Sequence, residues 1–101
     1  MRVVALVDDL MDRSKVSSAF PGAQFARDAT PAGDADVVIV DLARHGGEVG
    51  AVRAAAPCAR LVAFGPHVDD AALARAREEG ADVVVARSVF FRDPAAAVTG
   101  K

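Results

Sequence analysis

At 101 residues, 52% hydrophobic and 26% charged, the chain is long enough for one hydrophobic core and too short for two, so residues 1–101 are expected to form a single domain. A net charge of −2 with scattered basic residues excludes an electrostatic footprint for nucleic acid or an anionic membrane, and the longest apolar runs, about five residues, fall far below a membrane span. A single cysteine, Cys58, excludes an internal disulfide and a thiolate metal cluster, and its thiol is expected to be buried or half-buried.

Met1 and Arg2 lead directly into an apolar run rather than into a secretory leader, which reads as a cytoplasmic protein. That run, VVALV at 3–7, is rich in β-branched residues and has no polar alternate position, as in a strand buried on both faces. Asp8 and Asp9 stand side by side where it ends. Residues 10–20 then place Leu10 or Met11, Val16, Ala19 and Phe20 at helical spacing before Pro21-Gly22 breaks the pattern. AQFAR at 23–27 is expected to be a short, less buried edge strand. A second crossover helix would belong at 28–36, but DATPAGDAD carries Pro31, Gly33 and three aspartates with almost no apolar periodicity, and predicts a loop or a single turn.

The second buried run, VVIV at 37–40, is closed by Asp41. EVGAVRAAAP at 48–57 spaces Val49, Val52 and Ala56 on one helical face and stops at Pro57. A third apolar run follows at 61–64. DDAALARAREEG at 69–80 predicts the best-marked helix, with Asp69 or Asp70 as N-cap and Gly80 just past its end. The last run, VVVA at 83–86, leads to RDPAAAVTGK, where Asp93 and Pro94 open a helix of only a turn or two.

Strands alternating with helices imply βαβ units with right-handed crossovers, hence an α/β domain with a doubly wound, five-stranded parallel sheet. Ligands of such sheets gather beyond the carboxyl ends of the strands, where the strand order reverses. With the order 2-1-3-4-5, Asp8, Asp9 and Asp41 converge at that point. Three carboxylates together raise one another's pKa unless a cation compensates, and hard oxygen ligands of this kind suit Mg²⁺. The plainer alternative has Asp8 or Asp9 capping the first helix and Asp41 solvating a loop.

His45 and His67 fall in loops at the same end and are expected to be surface groups rather than metal ligands. HGGEVG at 45–50 has the look of a phosphate-cradling loop, with glycines for a tight turn, but lacks the lysine and hydroxyl of a P-loop and the spacing of a dinucleotide fingerprint. Because no serine sits on a strand-to-helix elbow, acyl-transfer catalysis is not expected. In SVFFRDP, 88–94, adjacent residues seldom both face inward, so one of Phe90 and Phe91 is expected to be exposed as part of an interaction surface; the alternative is that both rings close the core.

ALVDD, DVVIVDL, VRAAAPCARLVAF and REEGADVVVAR, in this order and at these separations, resemble the receiver (CheY-like) domain of two-component response regulators over most of residues 1–92. The resemblance implies a flavodoxin-like fold in which Asp8, Asp9, Asp41 and the Ala43 carbonyl hold Mg²⁺ and Asp41 accepts a phosphoryl group from a histidine kinase. Departures are as specific as the match. The family's hydroxyl after the fourth strand falls on Gly65, its aromatic switch residue on Val84, its lysine on Arg87 and the following proline on Ser88. The second helix is missing or reduced and the last one is short, as in an atypical, degenerate pseudo-receiver.

Arginine keeps the charge of lysine but not its compact geometry. Arg87 is therefore expected to reach Asp41, Asp8 or Asp9 as a bidentate pair and to occupy the place of metal and phosphate, the alternative being a solvent-facing Arg87 or one paired with Asp70. The expected function is that of a stand-alone, non-enzymatic signalling or protein-interaction module that works without phosphorylation. Its output is expected through a protein partner in trans, or as a homodimer, at the face of the fourth helix, fifth strand and fifth helix. Two alternatives stand beside it: a working phosphoacceptor at Asp41, and a small-ligand-binding or enzymatic domain using the same crevice.

Overall fold

The four apolar runs and the short AQFAR segment lie side by side in a computed structural model that describes residues 1–99. In chain order the elements are β1 (Val3–Leu6), α1 (Leu10–Ala19), β2 (Gln24–Phe25), a 3₁₀ turn (Thr30–Ala32), β3 (Val37–Asp41), α2 (Leu42–His45), a second 3₁₀ turn (Gly46–Glu48), α3 (Val49–Ala55), β4 (Arg60–Gly65), α4 (Asp70–Glu78), β5 (Val83–Ala86), α5 (Arg87–Arg92) and α6 (Pro94–Thr99). The strands form one all-parallel sheet in the order β2-β1-β3-β4-β5.

Alternate residues of each central strand feed two separate cores, which is why the runs have no polar position. Val4, Leu6, Val38, Val40, Leu61 and Ala63 face the layer of α3 and α4, where Val49, Val52 and Ala76 are buried. Val3, Ala5, Val37, Ile39, Val62 and Phe64 face the other layer, against Val16, Phe90 and Val98 from α1, α5 and α6. Where a second crossover helix would cover the sheet there is only the 3₁₀ turn, opened by Asp28 accepting from the Thr30 N–H and anchored by buried Ala32.

At the opposite end of the sheet from the acids, Arg53 of α3 holds the loops together. Its guanidinium donates to the Ala56, Ala59 and Gly80 carbonyls and to the Asp82 carboxylate. Gly80 closes α4 with φ +109°, and a Cβ there would lie 2.7 Å from Arg53 Cδ, so both backbone and packing demand glycine.

The fold departs from expectation at Cys58 and adds detail that the sequence left open elsewhere. Residues 87–92 form a helix that follows β5 without a loop, so Ser88 lies inside α5. Phe90 is fully buried and Phe91 half-buried, as in the alternative in which both rings close the core; α5 is wrapped so that both rings reach Phe64, and the exposed apolar side chain of α5 is Val89. Cys58 is exposed, because it falls in the turn after α3 rather than on a core-facing position. Gly46 and Gly47 do lie in a tight 3₁₀ turn, but neither has positive φ, which occurs only at Gly22 and Gly80 among the described residues.

Candidate functional site

The topology brings the carboxyl ends of β1, β3, β4 and β5 to one edge, and with them Asp8, Asp9, Asp41, Gly65 and Arg87. Each acid there has a partner from the chain itself. Asp9 is the N-cap of α1, its Oδ1 accepting from the Asp12 N–H at 3.0 Å. Asp41 caps α2 in the same manner, accepting from the Ala43 N–H at 3.0 Å. Burial raises the Asp41 carboxyl above its ordinary value, against the Ala43 hydrogen bond and the nearby Arg87 charge, which pull it down.

Asp8 accepts from His45 Nε2 at 2.9 Å, and this bond, opposed by slight desolvation, lowers its pKa. The other ring nitrogen, Nδ1, faces the Glu48 carboxylate. His45 is buried, contrary to the expectation of a surface group, because α2 folds it under the β1–α1 loop. Since carboxylates only accept, two of them on the two ring nitrogens require the doubly protonated imidazolium. Burial pushes the imidazole down, but the bonds and charges of Asp8 and Glu48 outweigh it and raise its pKa above 6.5.

A pH dependence follows from that shift. A group whose folded pKa is raised contributes stability that is fully present below the unfolded value and is lost as pH rises through the folded one. The thermal midpoint is therefore expected to fall as pH climbs above 6.5 through the folded pKa of His45, and His45→Gln is expected to abolish that part of the slope. An unchanged slope in the variant would show that His45 does not carry the effect.

Arg87 occupies the centre of the edge, but not with the expected partner. Its guanidinium forms a two-pronged pair with Asp12 of α1, Nη1 lying 2.6 Å from Oδ2 and Nη2 against Oδ1. The Asp12 side chain is 2% exposed and that of Arg87 44%. Asp41, Asp8, Asp9 and Asp70 are not its partners; the start of α5 aims the side chain across β4 toward α1, and Asp41 and Asp9 act on it only through their charge. The guanidinium carbon also stands 4.9 Å from the Phe91 ring centroid and 5.9 Å from that of Phe64.

The donor set does not suit a divalent cation. Asp8 is engaged by His45 and Asp9 by a backbone N–H, and Arg87 places a fixed positive charge beside Asp41. Among the described residues no group of three His, Cys, Asp or Glu side chains is arranged to hold a metal ion. At Gly65 a Cβ would lie 3.2 Å from Leu42 Cβ and 3.6 Å from Leu73 Cδ2, so α2 and α4 crowd the point where a hydroxyl-bearing side chain would begin. Val84 is half-buried against the α3–α4 core and supplies no ring.

No protein-family model matches the sequence, and no curated protein matches it. Solved structures do. A response regulator from Burkholderia pseudomallei, solved with a phosphorylated aspartic acid, a calcium ion and citrate, superposes with TM-score 0.74 at 17% identity, covering 97% of this chain and 66% of that one, so this chain spans slightly under two thirds of that regulator. A receiver-domain protein from Clostridium thermocellum gives TM-score 0.78 at 16% identity, over 98% of this chain and 91% of that one. The isolated receiver domain of RcsB from Salmonella enterica serovar Typhimurium, in its apo form, gives 0.74 at 16%, over 98% and 85%. The chain has the receiver-domain fold.

Within that fold, the residues that occupy the acid edge include three that sequence reasoning passed over. Asp12 lies in the polar stretch MDRSK and resembles any solvated helix residue; its partner is 75 positions away. Glu48 reads as a helix-opening acid, and Leu42 as the tail of an apolar run. The one available signal was Arg87 itself, whose charge required an acid somewhere along the same edge.

Proposed function

We propose that this chain is a receiver-fold protein-interaction module that works without phosphorylation and without turnover chemistry. The observation that carries this reading is the Arg87–Asp12 pair. Together with the His45 imidazolium between Asp8 and Glu48, it places two side-chain cations among the carboxylates of the acid edge, so part of their charge is offset from within the chain. Mg²⁺ at Asp8, Asp9, Asp41 and the Ala43 carbonyl would then have to displace His45 from Asp8 and bind beside the Arg87 charge. Gly65 and Val84 offer neither a hydroxyl nor a ring to respond to a phosphoryl group on Asp41.

Support for a partner in trans comes from the β5 edge. Val83 and Val85 are half-buried and form, with Val89 and Ala97, the floor of a groove of about 480 Å³. Arg60 and Arg92 stand at its rim, and Arg60 Nε is buried without a hydrogen-bond partner. Asp93, the acid of the groove, is already used to cap α6 through the Ala96 N–H. An apolar segment of a partner protein carrying a carboxylate matches this surface.

The test is incubation with acetyl phosphate and Mg²⁺, and separately with beryllofluoride and Mg²⁺, read by intact mass and by amide NMR shifts. No added phosphoryl group and no shifts around Asp41 are expected. A phosphoryl adduct that Asp41→Asn abolishes would overturn the proposal in favour of a working phosphoacceptor.

A further inference from the structure

The paired glycines of HGGEVG are left unexplained by the fold. Neither has positive φ, and a Cβ at Gly46 or Gly47 would meet no atom within 4 Å, so neither the backbone nor the packing requires glycine there. What their bare backbone does is keep one wall of a second cavity open. This cavity, about 320 Å³, lies between the α2 turn and α4, with Ala43 and Ala72 as further small walls and Arg44 and Arg75 as its charged side chains. Among the described residues neither guanidinium belongs to an ion pair, whereas Arg2, Arg53 and Arg87 each do.

Four acids near these two arginines are engaged elsewhere or turned away. Glu48 and Asp8 are both held by His45. Glu79, one turn beyond Arg75, packs its carboxylate beside Gly50 of α3. Asp69 at the start of α4 caps its own helix through the Ala72 N–H. Two exposed arginines lining one small space, with glycine and alanine walls that allow close approach, match a doubly charged oxyanion better than any neutral ligand. The volume lies at the lower end of ligand sites, on the order of 300–1,000 Å³, which limits the ligand to about the size of a nucleoside monophosphate.

We infer that the cavity between Gly46-Gly47 and α4 binds a small phosphorylated ligand through Arg44 and Arg75. This site shares Leu42 and Ala43 with the acid edge, is separate from the β5 groove, and needs no phosphorylation of Asp41.

The experiment is a titration of the whole chain, without added metal, followed by amide NMR, with inorganic phosphate, pyrophosphate, AMP and adenosine as probes. Saturable shifts confined to residues 43–47 and 72–75 are expected with the three phosphorylated probes and not with adenosine. AMP binding above inorganic phosphate identifies a nucleotide-like ligand; equal binding identifies the phosphate group alone. Arg44→Gln with Arg75→Gln is expected to weaken AMP binding at least about tenfold, the loss of two charge-assisted contacts. Gly47→Leu is expected to weaken it comparably by filling the cavity while leaving the thermal midpoint unchanged or higher, which separates ligand loss from unfolding. Absence of saturable shifts, or binding that neither variant alters, would overturn the inference.

Discussion

Truncation of Phe90 to alanine is expected to destabilise the domain by about 3–5 kcal/mol, the cost of emptying a buried aromatic site. Phe90 is fully buried, stacks on Phe64 with ring centroids 4.8 Å apart, and meets Phe91 edge-on at 4.9 Å. With only five aromatic residues in the chain, three of them in this cluster, the surrounding core of Val and Ala has few long side chains able to collapse into the void. Against a total stability of about 5–15 kcal/mol for an ordinary domain, the loss places the variant near its unfolding threshold. Phe91→Ala is expected to cost clearly less, since Phe91 is already half in solvent. Urea unfolding of both variants provides the check, and equal costs would show that the cluster is not centred on Phe90.

Loss of Arg87 is expected to be more damaging than loss of Asp12, although the two form one pair. Arg87→Ala strands a carboxylate that is 2% exposed and whose charge acts on Asp41, whereas Asp12→Ala leaves a guanidinium that is 44% exposed and can turn to water. Breaking a fully buried pair costs about 3–5 kcal/mol; with Arg87 half in solvent, about 2 kcal/mol is expected for Arg87→Ala. Asp12→Ala is expected to cost about 1 kcal/mol or less, helped by the better helix propensity of alanine within α1. The double variant then provides the decisive comparison. It strands no charge, so it is expected to be more stable than Arg87→Ala alone; a double variant that is less stable would mean that Arg87 acts through Phe64 and Phe91 rather than through Asp12.

The strands and their order were legible because a parallel sheet covered on both faces demands unbroken apolar runs, and VVALV, VVIV, LVAF and VVVA are such runs. The caps at Asp9, Asp69 and Asp93 were legible for an equally local reason: an oxygen-bearing side chain just before a helix satisfies its free N–H groups. Residues 87–92 were not, because Val and two Phe in a row carry strand character, and only their packing on Phe64 makes the helix the better solution. The acid edge was legible as a place but not as a set of bonds. That Asp8, Asp9, Asp41 and Arg87 share one end follows from topology, while the pairings Arg87–Asp12 and His45–Asp8 join residues 75 and 37 positions apart and are decided by helix orientation.

The close approach of Leu42 to Gly65 ties two elements of this edge together. Once α2 has settled with Leu42 Cβ where it would lie 3.2 Å from any side chain at 65, a serine or threonine introduced there meets carbon before it can meet a phosphoryl oxygen. Because the nearest atom is the Leu42 Cβ, which any residue but glycine would keep, relief comes from a small shift of α2 rather than from a smaller side chain at 42. The contact couples the identity of residue 65 to the seat of α2, so a change at one is felt at the other.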